Sequence, residues 1–422
     1  MSNAVASGVP LSTLAVLMLA VFTVSVGYGV VLPLLPYVIE RLLGSGGNVA
    51  QVSRSTGMLT GIYTFALFVF APVWGRISDQ YGRRAILVAG LGGFGATTLI
   101  FSFVETVAGL YSERFLSGLF AAAVTPVALA VVADLANSEE ARARRLTFVS
   151  LAGISGFLLG PMLGVFLNGG SSNLEPNPAA VGSLAVPLAA TAVLAIVAAA
   201  AVAVTVPGTP SPIAKRKVSP TSDDKHNWLV PRLLGLAFVV SAGVGVFEVG
   251  LALRGKQDLG LTQYQIAAMF TECSLVMIVV QAIVFSPWVA PEATRWFLAP
   301  AFALLAAGLF LVPYASNFVL LLAVVGAVAA SAGILSPILT YWISSKAGAA
   351  QGAELGKQTA AASLGVTVGS AAGGLLFDVA WLPNASFLLV TALTVVGFLM
   401  SLSLPNLLLN RKSGVPVPSV QT

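Results

Sequence analysis

GRISDQYGRR, residues 75–84, stands between two apolar runs, Thr56 to Trp74 and Ala85 to Val104. Each run is about 20 residues long, the length of a helix that crosses the hydrocarbon of a bilayer. Ser78, Asp79, Arg83 and Arg84 have no place in that medium, so the decapeptide is expected to be a tight polar turn joining two spans. Gly75 and Gly82 give its backbone room to turn, Asp79 suits the N-terminus of a helix, and the arginines hold the turn on one side of the membrane.

Outward from that turn, the whole chain has the same character. Of 422 residues, 57% are hydrophobic and 9% charged, and the mean hydropathy is +0.93. A soluble fold has nowhere to bury so much apolar surface, which leaves an all-α membrane protein of many spans. The net charge of +5 is scattered through short loops between spans, the pattern of topology signals and not of a nucleic-acid groove. The single cysteine, Cys273, excludes an intramolecular disulfide and a cysteine metal cluster, and the single histidine, His226, excludes a relay of buried imidazoles. No nucleophile and base pair or phosphate loop suggests an enzyme, and the Gly-rich tract at 90–95 lies inside a span as a packing feature. No cofactor or metal is expected.

Apolar runs of span length occur twelve times, roughly at 12–39, 55–76, 84–104, 108–135, 143–168, 181–206, 230–253, 262–289, 293–313, 317–344, 354–379 and 383–408. The first is expected to be a retained span, because no basic residue precedes it and it outruns a signal-peptide core. With the N-terminus inside, the outer loops keep only Arg41, Arg54, Arg254 and Lys256. Arg114 falls within span four, and the other Lys and Arg residues are internal, so both termini are expected in the cytoplasm. The stretch Pro207 to Asn227 is rich in Pro, Ser and charge and reads as a flexible tether; a lipid-binding role for Lys215 to Lys217 is the weaker alternative. The expected division is therefore a six-helix bundle at 1–206, a linker at 207–228, a second bundle at 229–410 and a tail at 411–422.

The two bundles echo each other. Gly156, Gly160 and Gly164 recur as Gly365, Gly369 and Gly373, offset by 209; Pro126 and Pro337 are offset by 211, and Pro72 and Pro287 by 215. Two parallel repeats of one six-helix unit place a substrate between the halves near the midplane.

With this topology, GRISDQYGRR resembles the G-x-x-x-D-R-x-G-R-R signature of major facilitator superfamily transporters, in the expected loop; Gln80 stands where a basic residue is usual. The resemblance implies that Gly75, Asp79, Gly82, Arg83 and Arg84 gate the cytoplasmic side, with Asp79 facing span eleven when that side is shut. A simple topology turn is the plainer reading. Span five, GISGFLLGPMLGVFL, is similar to the signature of the drug and proton antiporters at Gly156, Gly160, Pro161 and Gly164, with Val165 replacing a final Gly. In that family the stripe seals the outer side of the pore, and Pro161 adds a kink; an ordinary small-residue packing face is the alternative. Span one carries Gly27, Gly29, Pro33 and Pro36 as in twelve-span multidrug and tetracycline pumps, and its prolines bend its outer end. Asp134, with Arg142, Arg144 and Arg145, is expected to brace the loop after span four as gating support.

Four ionisable groups fall inside spans. Arg114, in a family-like R-x-x-x-G pattern with Gly118, needs water, a carboxylate or a carbonyl beside it. Glu113 is its sequence neighbour but sits about 100° round the helix, so another helix is an equal candidate partner. Glu248, in SAGVGVFE of span seven, resembles the placement of an essential acid in pumps similar to the quinolone exporters. The second acid of those pumps, in span ten, has no counterpart in AGILSPILTYW, and Glu272 of span eight is a candidate substitute. A buried carboxyl that gains and loses a proton is what proton exchange requires, so Glu248, Glu272, Glu113 and Arg114 are the coupling candidates, with structural pairing as the alternative for each. Tyr28, Tyr63, Phe115, Phe157, Phe247 and Phe302 are candidates to line an apolar substrate cavity, although any one aromatic can equally be packing. Together these expectations describe a proton-coupled exporter of amphipathic small molecules that works as a monomer in the cell membrane. A more selective exporter of a sugar, amino-acid derivative or siderophore on the same scaffold is the rival, and a non-transporting receptor is the remoter one.

Overall fold

The computed structural model describes residues 10–44, 48–103, 106–135, 139–167, 184–208, 228–284, 286, 289, 291–346 and 351–409, and those residues form helices without a strand. Most of the linker, with His226 and Lys215 to Lys217, and the tail from residue 410 lie outside the described residues. The first bundle holds α1 (Leu11–Val31), α2 (Leu35–Leu43), α3 (Val49–Tyr81), α4 (Arg83–Phe101), α5 (Val107–Ala121), α6 (Val124–Leu135), α7 (Glu139–Leu167) and α8 (Ala185–Thr205). The second holds α9 (Leu229–Gln257), α10 (Gln263–Val284), α11 (Leu298–Leu311), α12 (Phe318–Lys346), α13 (Gln351–Leu375), α14 (Ala385–Ser401) and the short α15 (Leu404–Leu409).

Ten stretches among the described residues are long and apolar enough to cross a membrane. With α13 (25 residues, polar at its start) and α14 (17 residues) the number of spans is twelve. Two spans of the first bundle are broken, and proline is the cause of both breaks. Pro33 and Pro36 lack the N–H groups that would continue α1, so the chain turns at Leu32–Leu34 and restarts as α2. Pro126 removes the bond to the Ala122 carbonyl, and span four becomes α5 and α6. Through Pro161, in contrast, α7 runs on without interruption.

The decapeptide departs from its expected form. α3 continues to Tyr81, and the turn is the single residue Gly82, at φ +94°. A helix of 33 residues is roughly 50 Å long, against a hydrocarbon thickness of about 30 Å, so its last polar turns extend into water without leaving helical geometry. Gly75 is simply a helical residue with open space beside it. The backbone at Gly82 is one that a side chain resists, so Gly82→Ala should cost about 1–3 kcal/mol, read as a lower melting temperature of the purified protein.

Each bundle is built on one close helix pair. A Cβ on Gly156, Gly160 or Gly164 of α7 would come within 3.0 Å of the backbone oxygens of Phe22, Val26 and Val30 on α1. In the other bundle, a Cβ on Gly365 or Gly369 of α13 would come as close to those of Phe238 and Ala242 on α9. The recurring glycine step is therefore a pair of backbone-to-backbone seams, each inside its own bundle.

Candidate functional site

Two ends of the molecule are distinguished by how the bundles meet: the Gly82 end and the Ser53 end. At the Ser53 end α3 and α13 touch by backbone. A Cβ on Gly57 would fall within 3.0 Å of the Ser370 carbonyl and the Gly374 Cα. Thr64 and Thr367 bring their hydroxyls to 3.0 Å two turns further along α3. Polar side chains close the rim: Ser53 donates to Asp378, Gln257 donates to Ser53 at 3.2 Å, and Tyr37 donates to the Leu261 carbonyl at 2.5 Å. Lys256 pairs with Glu40, donates to the Pro36 carbonyl at 3.2 Å and lies 5.1 Å over the Tyr37 ring. Glu40 is 65% exposed, so that ion pair contributes at most about 1 kcal/mol, and the glycine seam between α3 and α13 does more to hold this end shut.

Toward the Gly82 end the bundles part. Apart from Ser78, the buried residues of α3 lie between Val52 and Ala66. A cavity of about 400 Å³ begins where the Thr64–Thr367 contact ends, between Leu67 of α3, Leu129 of α6 and Thr359 of α13. A second, of about 300 Å³, is lined by Ile154 of α7, Phe247 of α9, Cys273 and Met277 of α10 and Ala332 of α12. It lies on the Gly82 side of the hydrogen bond from Thr271 to the Leu158 carbonyl, 3.3 Å. Tyr28, Phe157, Glu248 and Val366 belong to both cavities.

Glu248 is buried on α9 and accepts a hydrogen bond of 2.7 Å from the hydroxyl of Tyr28, on α1 of the other bundle. Behind Tyr28 the side chains form a row. Its ring stacks on Tyr63 at 5.1 Å and on Phe157 at 5.9 Å, and the Arg114 guanidinium lies 5.4 Å over Tyr63. Arg114 is in turn gripped at both ends by Glu113, at 2.5 and 2.8 Å. The sequence left the partner of Glu113 open; the long side chains bridge their angular separation and make a forked pair, 1% and 3% exposed. Removing one partner strands a buried charge, so Glu113→Gln or Arg114→Ala alone should destabilise the protein by about 3–5 kcal/mol, and the double change by less than the sum. Thermal unfolding of the three variants measures this.

The other candidates are placed as follows. Tyr63, Phe157 and Phe247 line cavities with Tyr28. Phe302 does not: it is fully buried in the second bundle beside Gly397. Phe115 also lines neither cavity and packs edge-on against Phe70 at 6.0 Å. Both sit on helix faces that a linear pattern cannot tell from the cavity side. Glu272 is apart from Glu248; its Oε1 lies 3.4 Å from where a Cβ of Gly326 on α12 would stand, and its Oε2 has no hydrogen-bond partner. At the Gly82 end, where the bundles are apart, Asp79 is half-exposed and bonds Arg83 at 2.5 Å within its own turn; the span-eleven contact expected of it belongs to the state in which this end is shut. Arg83 also reaches Asp134 at 3.2 Å and Ser78 at 2.6 Å, so Asp134 is tied to the decapeptide; of the arginines expected beside it, Arg142 and Arg144 have side chains outside the described residues. Arg84 flanks Gly208 at the end of α8, and Arg145 lies on α7 near its start. The rim at the Ser53 end was missed in the sequence. Lys256 and Glu40 are 216 residues apart, and only their shared position at span ends hinted at a meeting.

The family model of the Major Facilitator Superfamily matches residues 17–353. Multidrug resistance protein 1 of Bacillus subtilis is 26% identical over 400 residues, covering 93% of this chain and 96% of that protein. Quinolone resistance protein NorA of Staphylococcus aureus is 25% identical over 368 residues, covering 86% and 89%. Among solved structures, the human organic anion transporter MFSD10 (TETRAN) superposes with a TM-score of 0.70 at 19% identity, covering 93% of this chain and all of that one. A D-xylose-proton symporter gives 0.72 at 15%, covering 93% and 95%. Twelve spans among the described residues, set in two bundles around central cavities, and a family match across most of the length, lead to one conclusion: the chain belongs to the Major Facilitator Superfamily, a family of membrane transporters and not of enzymes.

Proposed function

We propose that this transporter exports amphipathic small molecules in exchange for protons, by alternating access, and that it does so as a monomer in the plasma membrane. The observation that carries the reading is Glu248, a buried acid on the wall of both central cavities, held by a residue of the opposite bundle. Such a group can exchange a proton with water in the cavity and can sense whether the bundles are together. The cavity walls favour lipophilic substrates. They combine Tyr28, Tyr63, Phe157 and Phe247 with a few hydroxyls, and among the described residues their lining includes no Asn, Gln or Arg that a sugar exporter would use. The names of the Bacillus and Staphylococcus relatives support drug efflux.

The excess of Lys and Arg at the Gly82 end supports a cytoplasmic location for that end and for both termini. In that orientation the conformation is open to the cytoplasm and sealed outside. The division into bundles at 1–206 and 229–410, a linker at 207–228 and a tail at 411–422 belongs to the same reading. Substrate enters beside Glu248 and displaces its proton; the seam at Gly57 and Gly374 then parts while Asp79, Arg83 and Asp134 come together with the second bundle. Glu272 abuts α12, the helix on which the quinolone exporters resembled here carry their second acid, which suits it to a supporting role.

Inside-out vesicles with an acidified lumen test the proposal. They should accumulate ethidium, and a protonophore should release it. Accumulation indifferent to the protonophore would remove proton coupling from the account.

A further inference from the structure

Tyr28 occupies an unusual position: its ring lines both cavities, and among the described residues its side-chain hydrogen bond across the bundles is the one to the carboxylate of Glu248. The ring has flat partners on both sides, Tyr63 and Phe157, so it is oriented by stacking and fixed by the hydrogen bond. We propose that Tyr28 is a movable divider of the substrate chamber, latched by Glu248, so that the proton-carrying acid also sets the size of the site. The inference rests on the efflux reading for its biological use, but not for its geometry.

The physical reason is the difference between two acceptors. A carboxylate takes a charge-assisted hydrogen bond from the tyrosine, whereas a protonated or ligand-engaged carboxyl is a weaker acceptor. Once Glu248 is engaged elsewhere, Tyr28 has only stacking to hold it and can turn out of the wall, joining the chambers of about 400 and 300 Å³. A compact cation fits one chamber and leaves the divider in place. A bulky one must displace it and forfeits the Tyr28–Glu248 bond. Tyr28 is therefore a positioning residue that links proton state to substrate size, a specificity device distinct from the aromatic lining itself.

Binding to the purified parent protein and to Tyr28→Phe separates this from a structural role, because phenylalanine keeps the ring and its stacking and loses only the hydroxyl. The probes are rhodamine 6G, a bulky cation followed by fluorescence polarisation, and 1-methyl-4-phenylpyridinium, a compact one followed by equilibrium dialysis. The variant should bind rhodamine 6G about tenfold more tightly, since that ligand no longer has to break a hydrogen bond to a charged group. Its affinity for the compact cation should change by less than about twofold. In the Glu248→Gln background, Tyr28→Phe should add little to the affinity for rhodamine 6G, because the latch is already weak. Equal changes for both probes, no change for either, or no binding of either to the parent protein would each overturn the divider. Loss of the tenfold split with protonophore-sensitive ethidium accumulation intact would leave the efflux reading standing; the split without such accumulation would leave the divider and remove the proton-driven function.

Discussion

Glu248→Gln is expected to abolish efflux against a gradient while leaving energy-independent substrate exchange and substrate binding in place. Glutamine has nearly the shape of glutamate and still offers an oxygen to the Tyr28 hydroxyl, so the cavity walls and the contact between α1 and α9 survive. What it lacks is a proton to exchange. Uphill transport needs a group whose proton occupancy differs between the two open states, whereas exchange needs only a cavity that visits both sides. The pair of assays therefore separates coupling from folding: ethidium accumulation driven by an acid lumen should fall to the leak rate, and dye exchange across vesicles with no gradient should persist. Undiminished uphill accumulation by the variant would move the coupling role elsewhere, to Glu272 or to the Glu113–Arg114 pair. Loss of both activities with loss of binding would show a structural role.

The second large effect is expected at Gly57, where α3 and α13 meet by backbone at the sealed end. A side chain there collides with the Ser370 carbonyl and Gly374, neither of which is a flexible atom able to swing aside. Overpacking of this kind costs about 1–3 kcal/mol, and it falls only on the conformation in which this end is closed. A bias of that size shifts a two-state equilibrium roughly 5- to 150-fold. Gly57→Val should therefore hold the transporter open at the Ser53 end and slow turnover accordingly. Cys273, the only cysteine, provides the readout, because it lines the second cavity on the Gly82 side. Its labelling by a membrane-impermeant maleimide applied from the Gly82 side should slow in Gly57→Val. Gly75→Ala, whose added methyl group meets open space, should label and transport as the parent does. Unchanged labelling in Gly57→Val would mean that the seam is not what sets the conformation.

The site was legible in the sequence to different degrees, for physical reasons that differ residue by residue. Glu248, Glu113 and Arg114 stood out because ionisable groups are rare and costly in hydrocarbon, and the structure puts all three in the interior, away from lipid. Aromatic residues carry no such penalty, so Phe302 and Phe115 looked like Phe157 and Phe247 although their helices turn them elsewhere. Asp134 was assigned to nearby arginines because proximity along the chain was the only guide; that guide gave no sign of Arg83, the first residue of α4, which reaches it from 51 positions away.

What the sequence determined by itself was the class of molecule, the number of its spans, the family and the glycine step repeated in both halves. All of these follow from composition and local spacing, because the bilayer imposes helix length and close packing imposes small residues at every fourth position. Tertiary structure decided which end is shut, that Gly57 and Gly374 make the seam, that Lys256 meets Glu40, and that Tyr28 reaches Glu248 across the bundles. Those contacts join residues more than two hundred positions apart in the sequence. Their pairing depends on the relative placement of the bundles, which no local pattern encodes.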